Sequence, residues 1–467
     1  MATEPKPTTL GALRASGYQP LTVKAEMRKN LIDKMRRGEK YFPGILGYED
    51  TIMPQIENAI LSGQDIVLLG ERGQAKTRLA RSLVNLLDAE VPMIAGGELN
   101  DSPYSPESAA GQQMVAEMGD NTPISWLPRD RRYGEKLATP DTTIADLIGE
   151  VDPIKVAEGR YLSDELTIHY GMVPRTNRGI FCLNELPDLA ERIQVGLLNI
   201  MEERDVQIRG YKVRLNLDLF VVASANPEDY TNRGRIITPL KDRFGSEVRT
   251  HYPRTIEHEI DIMERERLAF TQDGIAVDTP QFMKEIVAEL THLARKSPQI
   301  SQKSGVSVRV SIANYENLIA NALRRAIKLG EEMAVPRVSD LHAVVASTAG
   351  KIELESMGEM DEARVVERLV QQAVSATFER HFRLSELEGV IRGFEKGTNI
   401  EASDAMPSRD YVRTMQGLPG MEAAVTKLGV AKDPAHLASA VEFVLEGLHL
   451  NRRLNKNQDG AKYRYRA

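Results

Sequence analysis

Gly70-Glu71-Arg72-Gly73-Gln74-Ala75-Lys76-Thr77 follows the apolar run Asp65-Ile66-Val67-Leu68-Leu69 and opens a stretch carrying Leu79, Ala80, Leu83, Val84 and Leu87. A buried strand, a glycine-bearing turn and an amphipathic helix in that order form the context of a phosphate-binding loop. Backbone N–H groups at the helix start face the phosphates, and the helix dipole favours their charge. Lys76 is then expected to reach the β- and γ-phosphates, with the Thr77 hydroxyl as a ligand of Mg²⁺. The rest of the cradle would be Gly70, Glu71, Arg72, Gly73, Gln74 and Ala75. Ala75 replaces the second glycine of GxxxxGK[ST], so its backbone is expected to stay where L-residues are allowed.

Two further apolar runs, Gly179-Ile180-Phe181-Cys182-Leu183 and Leu219-Phe220-Val221-Val222-Ala223, also read as buried strands. Near-continuous hydrophobicity is what parallel strands covered on both faces require, and their alternation with helical stretches implies an α/β sandwich. The first run ends in Asn184-Glu185. An acidic residue at such a strand end holds magnesium through water in phosphate-loop enzymes. Asn184 can hydrogen-bond a metal-bound water but brings no charge, and Glu185 is the candidate general base. The other run leads into Ser224-Ala225-Asn226-Pro227, where Asn226 could orient the lytic water. Alternation of Val206, Ile208, Val213, Leu215 and Leu217 around Arg209-Gly210 predicts a hairpin between the two strands.

The chain has 467 residues, enough for about three domains. One cysteine, Cys182, excludes an internal disulfide framework and a thiolate zinc cluster. A net charge of −7 argues against a protein that mainly coats nucleic acid. No apolar run approaches a membrane span and no signal-peptide core opens the chain, so a cytoplasmic location is expected. Residues 1–40 read as a loose leader and a short basic helix, and 41–252 as the α/β core. Long amphipathic segments without convincing strands follow, among them 309–329, with Ile312, Tyr315, Ile319, Leu323 and Ile327 at helical spacing. The Arg/Lys-rich segment 451–467 reads as a flexible tail. Arg129-Asp130-Arg131-Arg132 reads as a solvated surface turn.

Taken in order, these residues resemble the AAA+ ATPases, and within them the group of the magnesium-chelatase I subunit and MoxR proteins. The resemblance covers roughly residues 41–350. It rests on Ile45-Leu46-Gly47-Tyr48-Glu49, GERGQAKT, Leu183-Asn184-Glu185, Ser224-Ala225-Asn226-Pro227, Leu240-Lys241-Asp242-Arg243-Phe244-Gly245 and Val308-Arg309-Val310. Segment 139–150 with Gly159-Arg160-Tyr161, then Tyr170-Gly171-Met172-Val173-Pro174 and the hairpin, match the helix-2 insert and pre-sensor hairpin of that group. The resemblance implies a P-loop AAA+ core with a central parallel sheet between helices, a helical lid over 253–350 and a helical C-terminal extension over 351–467. It implies that Ile45 lines the adenine pocket and that Asn226 is sensor 1. Arg243 would be the arginine finger that acts on a neighbouring subunit, and Arg309 the sensor-2 arginine. Asn184 departs from the Asp usual in the family.

By this resemblance the chain is a ring-forming ATPase, a homo-oligomer and typically a hexamer, that uses ATP and Mg²⁺ to remodel a partner carrying a von Willebrand factor A domain. A chelatase motor and a MoxR-type chaperone for protein maturation are both compatible with it. Asn184 motivates an alternative, a nucleotide-binding scaffold with little hydrolysis. A nucleic-acid machine is disfavoured by the acidic balance and by an insert lacking the GAFTGA-type loop of sigma-54 activators.

Overall fold

The computed structural model describes residues 6–152, 154, 167–202, 205–208, 211–227, 234–270, 274–302, 304–355, 361–403, 405–459 and 462–467. The chain divides into two compact units, Met1–His251 and Tyr252–Ala467. Among the described residues no helix is long and apolar enough to cross a membrane.

The first unit is built on a five-stranded parallel sheet. Its strands are β1 (Ile66–Leu69), β2 (Tyr133–Leu137), β3 (Gly179–Asn184), β4 (Leu219–Ala225) and β5 (Ser246–Arg249), in the spatial order β5-β1-β4-β3-β2. The three strands legible from their apolar runs are the central ones. The outer pair, β2 and β5, are mixed in polarity and half-buried, so no such run marks them. Alternate side chains feed two cores, as the pleat dictates. Ile66, Leu68, Ile180, Cys182, Phe220 and Val222 pack with Met27, Leu31, Ile45, Tyr48, Leu79 and Leu83 on one face. Val67, Leu69, Phe181, Leu183 and Ala223 pack with Leu147, Ile193, Leu197, Leu215, Leu217 and Leu240 on the other.

Residues 6–22, expected as a loose leader, are packed, and the basic helix expected after them is present. Thr9 caps the helix Leu10–Ala15, whose Leu10 and Leu13 are buried. The basic helix Val23–Arg37 inserts Val23, Met27 and Leu31 into the sheet's core. Arg132, expected in a solvated turn, is instead buried against the Glu26 of this helix. Arg132 donates through Nη1 and Nη2 to the two Glu26 oxygens at 2.7 and 2.6 Å, and through Nε to the Arg178 carbonyl at 2.7 Å. A guanidinium hydrogen-bonded through all three nitrogens and paired with a carboxylate can be buried where an unpaired one cannot. The expected hairpin is present as Asp205–Ile208 paired antiparallel with Tyr211–Arg214. Arg209-Gly210 and Gly159-Arg160-Tyr161 lie outside the described residues.

The second unit is mainly helical, and one apolar core runs through it from Ile260 to Tyr465 with no break near residue 350. The helix Val308–Leu329 is present, but its buried stripe is rotated from the aliphatic one: Ile327 is exposed and Arg325 faces inward. Arg325 can do so because Asp340 accepts its Nη2 at 3.0 Å and the Val335 carbonyl its Nη2 at 2.7 Å. The C-terminal segment is not a flexible tail. Lys462–Arg466 pairs antiparallel with both Ile400–Ser403 and Asn455–Asp459, and Tyr465 is buried. Alternation of Tyr463 and Tyr465 with basic residues is a strand pattern with one wet face.

Candidate nucleotide site

The loop 70–75 joins the end of β1 to the helix Lys76–Ser82. Gly70 is required by close approach, since a Cβ there would meet Thr250 Oγ1 at 1.8 Å and Gln74 Oε1 at 2.3 Å. Gln74 folds inward, its Oε1 accepting from the Glu71 backbone at 3.1 Å and from Thr250 Oγ1 at 2.7 Å. Lys76 is buried and donates from Nζ to the carbonyls of Gly70 and, at 3.0 Å, Glu71. Its ammonium thus lies inside the loop's curve. Ala75 sits at φ 55° and ψ 18°, the left-handed region where a side chain costs about 1 kcal/mol. The methyl is accommodated at the expense of backbone strain. A cleft of about 450 Å³ adjoins the loop, lined by Gly70, Glu71, Gln74, Pro227, Lys241 and Arg249 among others.

Parallel register brings the expected strand ends to this loop. Leu69 of β1 is opposite Ala225, so Asn226 follows at the same level, and Ala223 of β4 is opposite Leu183. Asn226 is buried, and Glu185 is half-buried at φ 54°. That conformation turns the chain out of β3 into the short turn Leu186–Asp188. Ser224 ties the two ends together, its Oγ accepting from the Glu185 backbone N–H and donating to Asn184 Oδ1, both at 3.2 Å.

Asn184 is buried, with both ends of its amide engaged. Beyond Ser224, its Nδ2 donates to Glu135 Oε1 at 2.7 Å. Glu135 lies on β2, opposite Cys182 of β3. Arg81, on the helix that the loop opens, holds the same carboxylate with Nε at 2.8 Å and Nη2 at 3.0 Å. Partial burial works to raise the Glu135 carboxyl, but the Arg81 hydrogen bonds and charge prevail and hold it below the usual range. Burial pushes the Cys182 thiol up to about 12. Glu135, Arg81 and Thr250 have no motif to mark them; only their contacts do.

Ile45 lies in the core beside Tyr48, whose hydroxyl is within hydrogen-bonding reach of the Gln74 and His251 carbonyls at 2.9 and 2.7 Å. This ties the segment before the first strand to the loop. Arg243 ends the helix Thr238–Arg243 and pairs with Glu202 of the helix Glu191–Glu202. Arg309 is exposed in the first turn of Val308–Leu329, in the second unit, where Ser307 caps the helix.

A family profile described as the Sigma-54 interaction domain matches residues 158–243. The magnesium-chelatase 38 kDa subunit of Cereibacter sphaeroides is 26% identical over 252 residues, which cover 53% of this chain and 68% of that protein. The chloroplastic magnesium-chelatase subunit ChlI of Nicotiana tabacum is 26% identical over 253 residues, covering 52% of this chain and 55% of its own length. A chain in the single-particle cryo-electron microscopy structure of the complex between subunits BchI and BchD of magnesium chelatase is 20% identical. It covers 70% of this chain and 98% of its own, with a TM-score of 0.35. The chain thus spans about two thirds of the first of these two curated relatives and just over half of the second. The sheet order and the loop are those of the P-loop AAA+ class of α/β fold, here followed by a mainly helical part. Within that class the chain is magnesium-chelatase I-like.

Proposed function

We propose that this chain is the ATPase motor of a ring-forming assembly, hydrolysing ATP to ADP and phosphate to remodel a partner protein as a magnesium-chelatase I subunit does. The observation that carries the reading is the meeting, on three adjacent parallel strands, of the Lys76-Thr77 loop with the strand ends bearing Asn226 and Glu185. Gly70 to Ala75 would wrap the phosphates with backbone N–H groups, and buried Lys76 would exchange its carbonyl partners for phosphate oxygens. Ile45 and Tyr48 would border the base. Glu185 would take the proton of the attacking water and Asn226 would hold that water in line. Arg243 would leave Glu202 for the γ-phosphate of a neighbouring subunit, and Arg309 would take the sensor-2 role that the resemblance implies.

Among the described residues no three His, Cys, Asp or Glu side chains converge as a metal cage. A cation arriving with the nucleotide fits this setting better, because Mg²⁺ keeps its waters and binds through phosphates and one or two protein oxygens. Thr77 would ligate it, with Asn184 on its water shell, and the ion would neutralise charge on the transferred phosphoryl group. A partner with a von Willebrand factor A domain follows from the resemblance, for a chelatase motor or a MoxR-type chaperone alike.

Phosphate release by wild type and Glu185→Gln tests the reading. The variant is expected to be slower by about 10²–10⁴-fold while still binding ATP. Wild type no faster than Glu185→Gln removes the motor and leaves the second reading, a nucleotide-binding scaffold, which the neutral Asn184 favours.

A further inference from the structure

Asn184 leaves the strand end without charge, yet a carboxylate stands beside it. Glu135 Oε1 accepts from Asn184 Nδ2 at 2.7 Å, and the amide's other end is turned to Ser224. The amide therefore orients Glu135 rather than replacing it. On the other side Glu135 meets Arg81, four residues beyond Thr77. Residues four apart share one helix face, one turn from each other. Glu135 is thus held between the strand end that lacks an acid and the helix face that bears the metal-ligating type of hydroxyl.

We propose that Glu135 is the acidic residue of the nucleotide site, holding the water shell of the nucleotide-bound divalent cation in the place left neutral by Asn184, with Arg81 as the cation it exchanges for the metal. This rests on the nucleotide reading above. Three physical points favour it. Mg²⁺ is a hard ion that selects carboxylate oxygen, and an amide supplies no charge. The Arg81 side chain is 64% exposed and that of Glu135 21%, so water can take over the guanidinium when the pair separates. A single positive charge open to water on one side holds a carboxylate less strongly than a divalent cation does.

The test is binding of a fluorescent ATP analogue to the full chain, titrated with Mg²⁺ and repeated without metal. Glu135→Gln keeps the shape and an acceptor for Asn184. It is expected to raise the half-saturating Mg²⁺ concentration about tenfold or more, as loss of a supporting carboxylate does, without weakening metal-free binding, since one negative charge fewer then faces the phosphates. Adding Asn184→Asp to Glu135→Gln should restore the midpoint. In Arg81→Gln the competing cation is gone, so the midpoint should not rise. An unchanged midpoint in Glu135→Gln overturns the proposal, and so does an equal rise in both single variants, which would mark a structural ion pair. Wild type that binds no analogue with or without Mg²⁺ removes the nucleotide reading, and the proposal with it.

Discussion

Two arginine–glutamate pairs stand at β2, one before its start and one on it, and they share a chemistry but not a setting. Arg132 and Glu26 are joined by two hydrogen bonds, with side chains 1% and 3% exposed. Arg81 and Glu135 are joined by two as well, but Arg81 lies mostly in water. In the buried pair the desolvation of two charges is offset only while every hydrogen bond is made, so neither partner can leave. In the open pair solvent stands ready to replace either partner, and the carboxylate can change hands. Burial, rather than the identity of the pair, separates a contact that fixes the fold from one available to a ligand.

The comparison is broken most severely at Glu26. Glu26→Ala strands a buried guanidinium and also removes the acceptor of the Asp88 backbone N–H, held at 2.6 Å. Stability to denaturant is expected to fall by about 3–5 kcal/mol. A loss under 1 kcal/mol would mean that the pair is not the anchor of the first helices. Ala75→Gly comes next and has the opposite sign. Relief of the left-handed backbone outweighs the extra chain entropy of glycine, for a gain of about 0.5–1 kcal/mol in the same denaturation measurement. A loss would mean that the methyl contributes packing to the loop. Arg81→Ala should be smallest, a few tenths of a kcal/mol, as measured for exposed pairs. A cost approaching that of Glu26→Ala would erase the distinction between the two sites.

Much of the site was legible because its parts are local. The loop, the helix it opens and the residues ending β3 and β4 are each contiguous, and near-continuous apolar strands announce themselves. The edge strands β2 and β5 did not, being half-covered and polar. The tail went unrecognised as a sheet because alternating aromatic and basic residues look solvated until a partner strand is known. In the helix Val308–Leu329, periodicity gave the helix but not its inward face, because a paired Arg325 displaces an aliphatic residue from the core.

The sequence alone determined the loop between the first strand and its helix, the order of the central strands along the chain and the main helices beyond Pro253, since these follow from local pattern and turn chemistry. It also exposed the anomaly at Asn184. Tertiary structure alone decided which charges meet. Arg132 finds Glu26 across 106 positions and Arg81 finds Glu135 across 54. Periodicity records how much apolar surface a segment must bury, but a charged side chain is placed by partners that only the folded sheet brings within hydrogen-bonding distance. The missing charge of Asn184 was written in the sequence, and the carboxylate beside it was supplied by the fold.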